Sequence, residues 1–83
     1  MVFRGQPGVA ADLDKIVAFI EKLKHERDEE IDASRNYRSL AIEAQSIGLI
    51  MTGKKILEIS HDEARHSARL QMSIEAIVKR YSL

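Results

Sequence analysis

Cysteine is absent from this chain. That absence excludes disulfides, zinc–thiolate sites, iron–sulfur clusters and thiol nucleophiles together, so any bound metal must be held by oxygen and imidazole. A surplus of either charge is missing too: Lys+Arg and Asp+Glu each total 13. Nothing here is left over to neutralise phosphates, and nucleic acid is excluded as an expected partner. Long hydrophobic runs are lacking as well. The longest uncharged stretch, about Ala44 to Gly53, is far too short for a bilayer, so no membrane partner is expected. Met1 to Gly8 contain no signal-type hydrophobic core, and the expectation is a soluble cytoplasmic protein.

Proline occurs once, at Pro7, and glycine is nearly as scarce. Gly5, Pro7 and Gly8 mark residues 1–9 as a flexible N-terminal arm. Beyond it only Gly48 and Gly53 interrupt the chain, on either side of Thr52, a residue type that caps helix N-termini. The spacing predicts an all-α chain, a two-helix antiparallel hairpin over residues 10–83. Its helices would run from about Ala10 to Ile47 and from about Thr52 to Tyr81, each roughly 45–55 Å long. No alternating apolar run competes as a strand. The connection Ile47–Met51 is more apolar than most loops, and is expected either to plug the end of a bundle or to form an oligomer contact.

With 83 residues the chain makes one domain, of a size that often requires a metal or a partner subunit for stability. On a helical wheel the first helix gathers Ile16, Phe19, Leu23, Ala33, Tyr37, Ala41 and Ala44 on one stripe, with Glu30 in the middle. The second gathers Ile56, Ile59, Leu70, Ile74, Ile77 and Tyr81, with Glu63 in the middle and His66 on the edge. One hairpin would leave much of both stripes in water. A second copy covers them, so the apolar surface predicts a homodimer forming a four-helix bundle.

Each helix thus carries a carboxylate where a core belongs. A buried carboxylate is normally protonated, paired or metal-bound. A salt bridge would have to come from Arg27, the one cation near the inner stripes. A metal would use all three inward polar groups, because His66 lies one turn from Glu63 on the same face. The Glu-x-x-His spacing is weak by itself, and Glu58 with His61 repeats it. That second pair faces roughly 140–160° away from Glu63 and reads as surface.

Glu30-Ile-Asp-Ala-Ser-Arg-Asn-Tyr37 resembles the first-helix motif of rubrerythrin-type ferritin-like proteins, and Asp62-Glu63-Ala-Arg-His66-Ser-Ala-Arg-Leu70 resembles their second-helix motif. The interval between the two glutamates is similar as well. The likeness covers about Phe19 to Ile77, and its specificity lies in the motifs combined. Most such proteins carry two ligand sets on four helices of one chain. This chain has one set on two helices, which resembles the half-length, encapsulated-ferritin form. The resemblance implies a ferritin-like di-iron site at a homodimer interface. Glu63 and its symmetry mate would bridge the metals, Glu30 would cap each one, and His66 would supply nitrogen, giving one iron per chain. Manganese and zinc suit the same donors.

The resemblance also places Tyr37 beside the metals, hydrogen-bonding a ligand or handling oxidising equivalents; a core tyrosine with a satisfied hydroxyl is the plain alternative. Glu26 reads as an added ligand, a metal-entry residue, or a partner of Arg27 or of a dimer salt bridge. Asp62 either orients His66 or faces solvent. His25, Glu29 and Asp32 read as solvated, and Met51 and Met72 as packing. The implied activity is a di-iron ferroxidase or peroxidase. Without cysteines a peroxidase would need an external electron donor, which favours ferroxidase. Iron storage would need a larger homo-oligomer or an encapsulating shell, and Val78–Leu83 shows no extended targeting tail. A non-enzymatic helical assembly module and a structural zinc or manganese dimer are the competing readings.

Overall fold

The computed structural model describes the backbone from Val9 and side chains from Leu13, in both cases to Leu83. Two helices account for nearly all of it: α1, Val9–Ser46, of 38 residues, and α2, Ile50–Tyr81, of 32. They pack against each other as an antiparallel hairpin, and no strand occurs among the described residues. The arm expected over residues 1–9 lies outside the described residues except for Val9, which already belongs to α1. No helix among the described residues is long and apolar enough to cross a membrane.

The turn is tighter than the sequence suggests. α1 stops at Ser46 and α2 starts at Ile50, so Ile50 and Met51 are helical. Gly48 sets the stop with a φ of +90°, which a glycine adopts without steric cost. Around it the carbonyl of Ala44 accepts from the Leu49 N–H at 2.8 Å, and that of Gln45 accepts from the Gly48 N–H at 3.1 Å. These crossed bonds form a Schellman closure, which satisfies carbonyls that a helix end leaves free. Thr52 is not the cap of α2. Leu49 stands in that position and makes no side-chain cap bond, so the turn geometry rather than a cap residue starts the helix.

Gly53 also has a different role from that of a boundary marker. It lies inside α2, where an added Cβ would sit 2.9 Å from the Ala41 carbonyl oxygen and 2.6 Å from Gln45 Cγ. A backbone oxygen cannot swing aside, so the missing side chain lets the helices approach closely near the turn.

Two lines of residues at alternating three- and four-residue intervals form the seam. On α1 the line is Ile20, Leu23, Arg27, Glu30, Ser34, Tyr37, Ala41 and Ala44. On α2 it is Gly53, Ile56, Ser60, Glu63, Ser67, Leu70, Ile74 and Ile77. Every residue on both lines is buried or half-buried. Ala41, Ala44 and Gly53 line the seam beside the turn, and Ile20, Leu23, Leu70, Ile74 and Ile77 fill the open half. The middle is polar: Ser34 Oγ donates to the Ser60 carbonyl at 3.0 Å, and Ser60 Oγ donates to the Ser34 carbonyl at 2.8 Å. Ser60 is fully buried and Ser34 nearly so, and this reciprocal clasp fixes the helix register inside the seam.

The seam is thin. Among the described residues its buried apolar side chains are Ile20, Ala41, Ala44 and Ile74, whereas Phe19, Ile59 and Tyr81 of the predicted core stripes stay 52%, 42% and 40% exposed. The physical reason is angular. One partner helix covers only one side of a stripe that is wider than a two-helix seam. The turn residues Ile47, Leu49, Ile50 and Met51 are likewise exposed and plug nothing within the hairpin. Met51 and Met72, expected to pack, are 65% and 68% exposed.

Candidate metal centre

Glu30 lies one turn before Ser34 on α1, and Glu63 one turn after Ser60 on α2. The serine clasp therefore positions both carboxylates from an adjacent level of the seam. His66 follows one further turn along α2. Its Nδ1 lies 3.2 Å from Oε2 of Glu30 and 3.5 Å from Oε1 of Glu63. One donor atom from each of the three residues falls within 4.8 Å of the others. The carboxylate side chains are 24% and 22% exposed and the imidazole 55%, so the cluster sits at the rim of the seam and opens outward.

This arrangement fits a metal ion. Donors bound at about 2.1 Å in a tetrahedral or octahedral shell stand about 3.0–3.4 Å from one another. The two imidazole–carboxylate separations are of that size. A protonated Nδ1 donates a hydrogen bond to Glu30, whereas a bare Nδ1 aims its lone pair at the space between the carboxylates. Two carboxylates balance the charge of one divalent cation, and three donors leave coordination positions free on the outward side.

Among the described residues no lysine or arginine pairs with Glu30 or Glu63. Among the described residues Arg27 makes an ion pair with Asp28 at 2.9 Å and donates to Gln71 Oε1 at 2.7 Å, with no bond to Glu26, Glu30 or Glu63. The salt-bridge account of the inward carboxylates therefore lacks its cation in this structure. Asp62 pairs with Arg65 rather than orienting His66, whose ring is steered by Glu30 and Glu63. Glu26 is exposed and outside the cluster, and Tyr37 is half-buried on the seam line two turns from Glu30.

Glu58 and His61 are both exposed and take no part in the cluster, as their facing predicts. His25 pairs with Glu29 at 3.2 Å on an open surface, again as expected of a solvated face. The sequence reading missed the clasp of Ser34 and Ser60. The available signal was their place one turn from each glutamate on the seam lines.

No protein-family profile, no curated protein and no solved structure matches the chain. The geometry of the hairpin and the chemistry of its donors carry the functional reading.

Proposed function

We propose that two copies pack open face to open face as a four-helix bundle, and that their paired Glu30, Glu63 and His66 form a ferritin-like dinuclear centre that oxidises ferrous iron. The observation that carries this reading is the convergence of two carboxylates and one imidazole, at spacings suited to an ion, on the face the hairpin leaves uncovered. Rotating about 100° per residue from the seam, Phe19, Ala33 and Tyr37 of α1 and Ile59, Leu70, Ile77 and Tyr81 of α2 fall on the same side as the cluster. Along the 32 residues of α2, about 48 Å, two helices each about 10 Å wide together present a face on the order of 900 Å². That is close to one partner's share of a stable interface, about 800 Å².

The two-fold axis of such a dimer supplies four carboxylates and two imidazoles. Four carboxylates balance two divalent cations, and hard oxygen donors with some imidazole favour iron or manganese while admitting zinc. Bound iron supplies one-electron redox chemistry. The residues of the chain hold the ions, keep them charge-balanced and limit access of water from the seam side. With dioxygen as oxidant the balance is 2 Fe(II) + O2 + 2 H+ giving 2 Fe(III) + H2O2. Ferrous iron is itself the reductant, so a chain without cysteine needs no built-in electron-transfer centre. The motifs around Glu30 and Glu63 resemble those of rubrerythrin-type proteins and support the same choice.

Anaerobic titration with Fe(II) followed by exposure to oxygen tests the reading. One iron per chain and a ferric absorbance that Glu63→Ala abolishes are expected. Absence of binding, or unchanged oxidation by the variant, would overturn it.

A further inference from the structure

Towards the open end from Glu30, a second polar crossing joins the two helices. The Arg27 guanidinium donates from Nη1 to Oε1 of Gln71 at 2.7 Å, a partly buried bond between α1 and α2. Asp28 holds the rest of the group, with its Oδ1 3.0 Å from Nε and 2.9 Å from Nη2. Gln71 is oriented in turn, because its Nε2 donates to Oε2 of Glu75 at 2.9 Å. A carboxylate only accepts and a guanidinium only donates, so one orientation of the amide satisfies both neighbours. Asp28, Arg27, Gln71 and Glu75 thus form a single relay of bonds.

The place of Arg27 gives the relay its consequence. On the seam line of α1 it precedes Glu30 by three residues, and side chains at that spacing are neighbours on a helix. Both residues are half-buried, so attraction between them would be only partly screened by water and salt. An Arg27 turned onto Glu30 would occupy a donor carboxylate and set a fixed positive charge beside the metal position. The structure shows it turned the other way. Arg65, two residues after Glu63, is likewise engaged elsewhere, by Asp62.

We infer that Gln71 is a positioning residue for the metal centre, holding Arg27 away from Glu30 so that the carboxylates stay free for a cation. This rests on the metal reading above and adds a built-in competitor together with the residue that restrains it. Without the Gln71 oxygen, Nη1 loses its acceptor at a half-buried position, where an unmade bond to a charged group is costly. Glu30 is the next carboxylate on the same seam line. An Arg27 that spent about nine tenths of its time on Glu30 would leave about a tenth of the sites open and raise the apparent Kd for metal about 10-fold.

Gln71→Leu removes the acceptor and keeps a strong helix former of similar size in α2. Arg27→Met removes the competitor. The two single variants, the double variant and the parent are titrated with Zn(II) against a chromophoric chelator, with helicity followed by circular dichroism. Gln71→Leu is expected to bind about 10-fold more weakly than the parent, and Arg27→Met at least as tightly. The double variant is expected to regain the affinity of the parent. If the bond between Arg27 and Gln71 served only to hold the helices together, Arg27→Met would weaken binding as much as Gln71→Leu and the double variant would recover nothing. Either result would overturn the inference, as would parent affinity in Gln71→Leu, and all three leave the metal reading standing. A parent that takes up no Zn(II) would overturn the metal reading and the latch with it.

Discussion

Replacing Glu63 by glutamine preserves the shape of the side chain and removes its charge, which separates metal binding from folding. In the free hairpin, a carboxylate oxygen of Glu30 and one of Glu63 lie within 4.8 Å of each other, with the His66 imidazole beside both. Two unit charges at that distance repel by about 1 kcal/mol in water and about 3–4 kcal/mol at an effective dielectric of 20. Both side chains are about a quarter exposed, and the imidazole offsets part of the repulsion, so the lower figure governs. The metal-free variant is therefore expected to be as stable as the parent or more stable by up to about 1 kcal/mol. With metal the order reverses. A ligand present at 100 times its Kd stabilises the parent by about 2.7 kcal/mol, equivalent to a rise in Tm of roughly 10–20 °C for a domain of this size. Glu63→Gln should lose most of that rise. Thermal unfolding followed by circular dichroism, with chelator and then with Zn(II) as a redox-inert probe, measures both quantities. A metal-free variant destabilised by much more than about 1 kcal/mol would refute the electrostatic argument. A full metal-induced shift in the variant would refute Glu63 as a ligand.

Ser60→Ala removes the bond to the Ser34 carbonyl and should cost about 1 kcal/mol in urea unfolding. Ser60→Leu forces a large side chain into a fully buried position and should cost about 3 kcal/mol or more while also abolishing the metal-induced shift. Equal effects of the two substitutions would show that the clasp does not set the helix spacing. Gly48→Ala should cost about 1 kcal/mol through backbone conformation alone, because its Cβ would meet no atom within 4 Å. An unchanged urea midpoint would contradict that account. Ile59→Arg, on the open face, should shift sedimentation from dimer to monomer and weaken metal binding while leaving helicity intact. A dimer of parent affinity would place the interface elsewhere.

The parts of the fold that follow from periodicity were legible. The scarcity of glycine and proline outlines two helices, and the wheel angles of Glu30, Glu63 and His66 bring them to one side, where the structure does gather them. The same angles turn Glu58 and His61 outward. What escaped depends on contacts across the seam. Thr52 has the chemistry of a cap, but the crossed bonds around Gly48 start the second helix before a cap is needed. Ser34 and Ser60 look polar in a list of residues, and only each other's carbonyls make them core residues. Arg27 has the right charge for Glu30 but reaches Gln71 and Asp28 instead, a choice of rotamer that spacing does not encode.

Given the proposed dimer, the thin seam would tie the fate of the chain to its abundance. A solitary hairpin with so few buried apolar side chains among its described residues opens easily, and opened helices are what proteases cut. Association that favours only the folded form makes resistance to cleavage rise with protein concentration. In the proposed dimer, newly made chains that find a partner would be retained and unpaired ones cleared. Turnover would then act as the proofreading step that keeps isolated half-sites scarce.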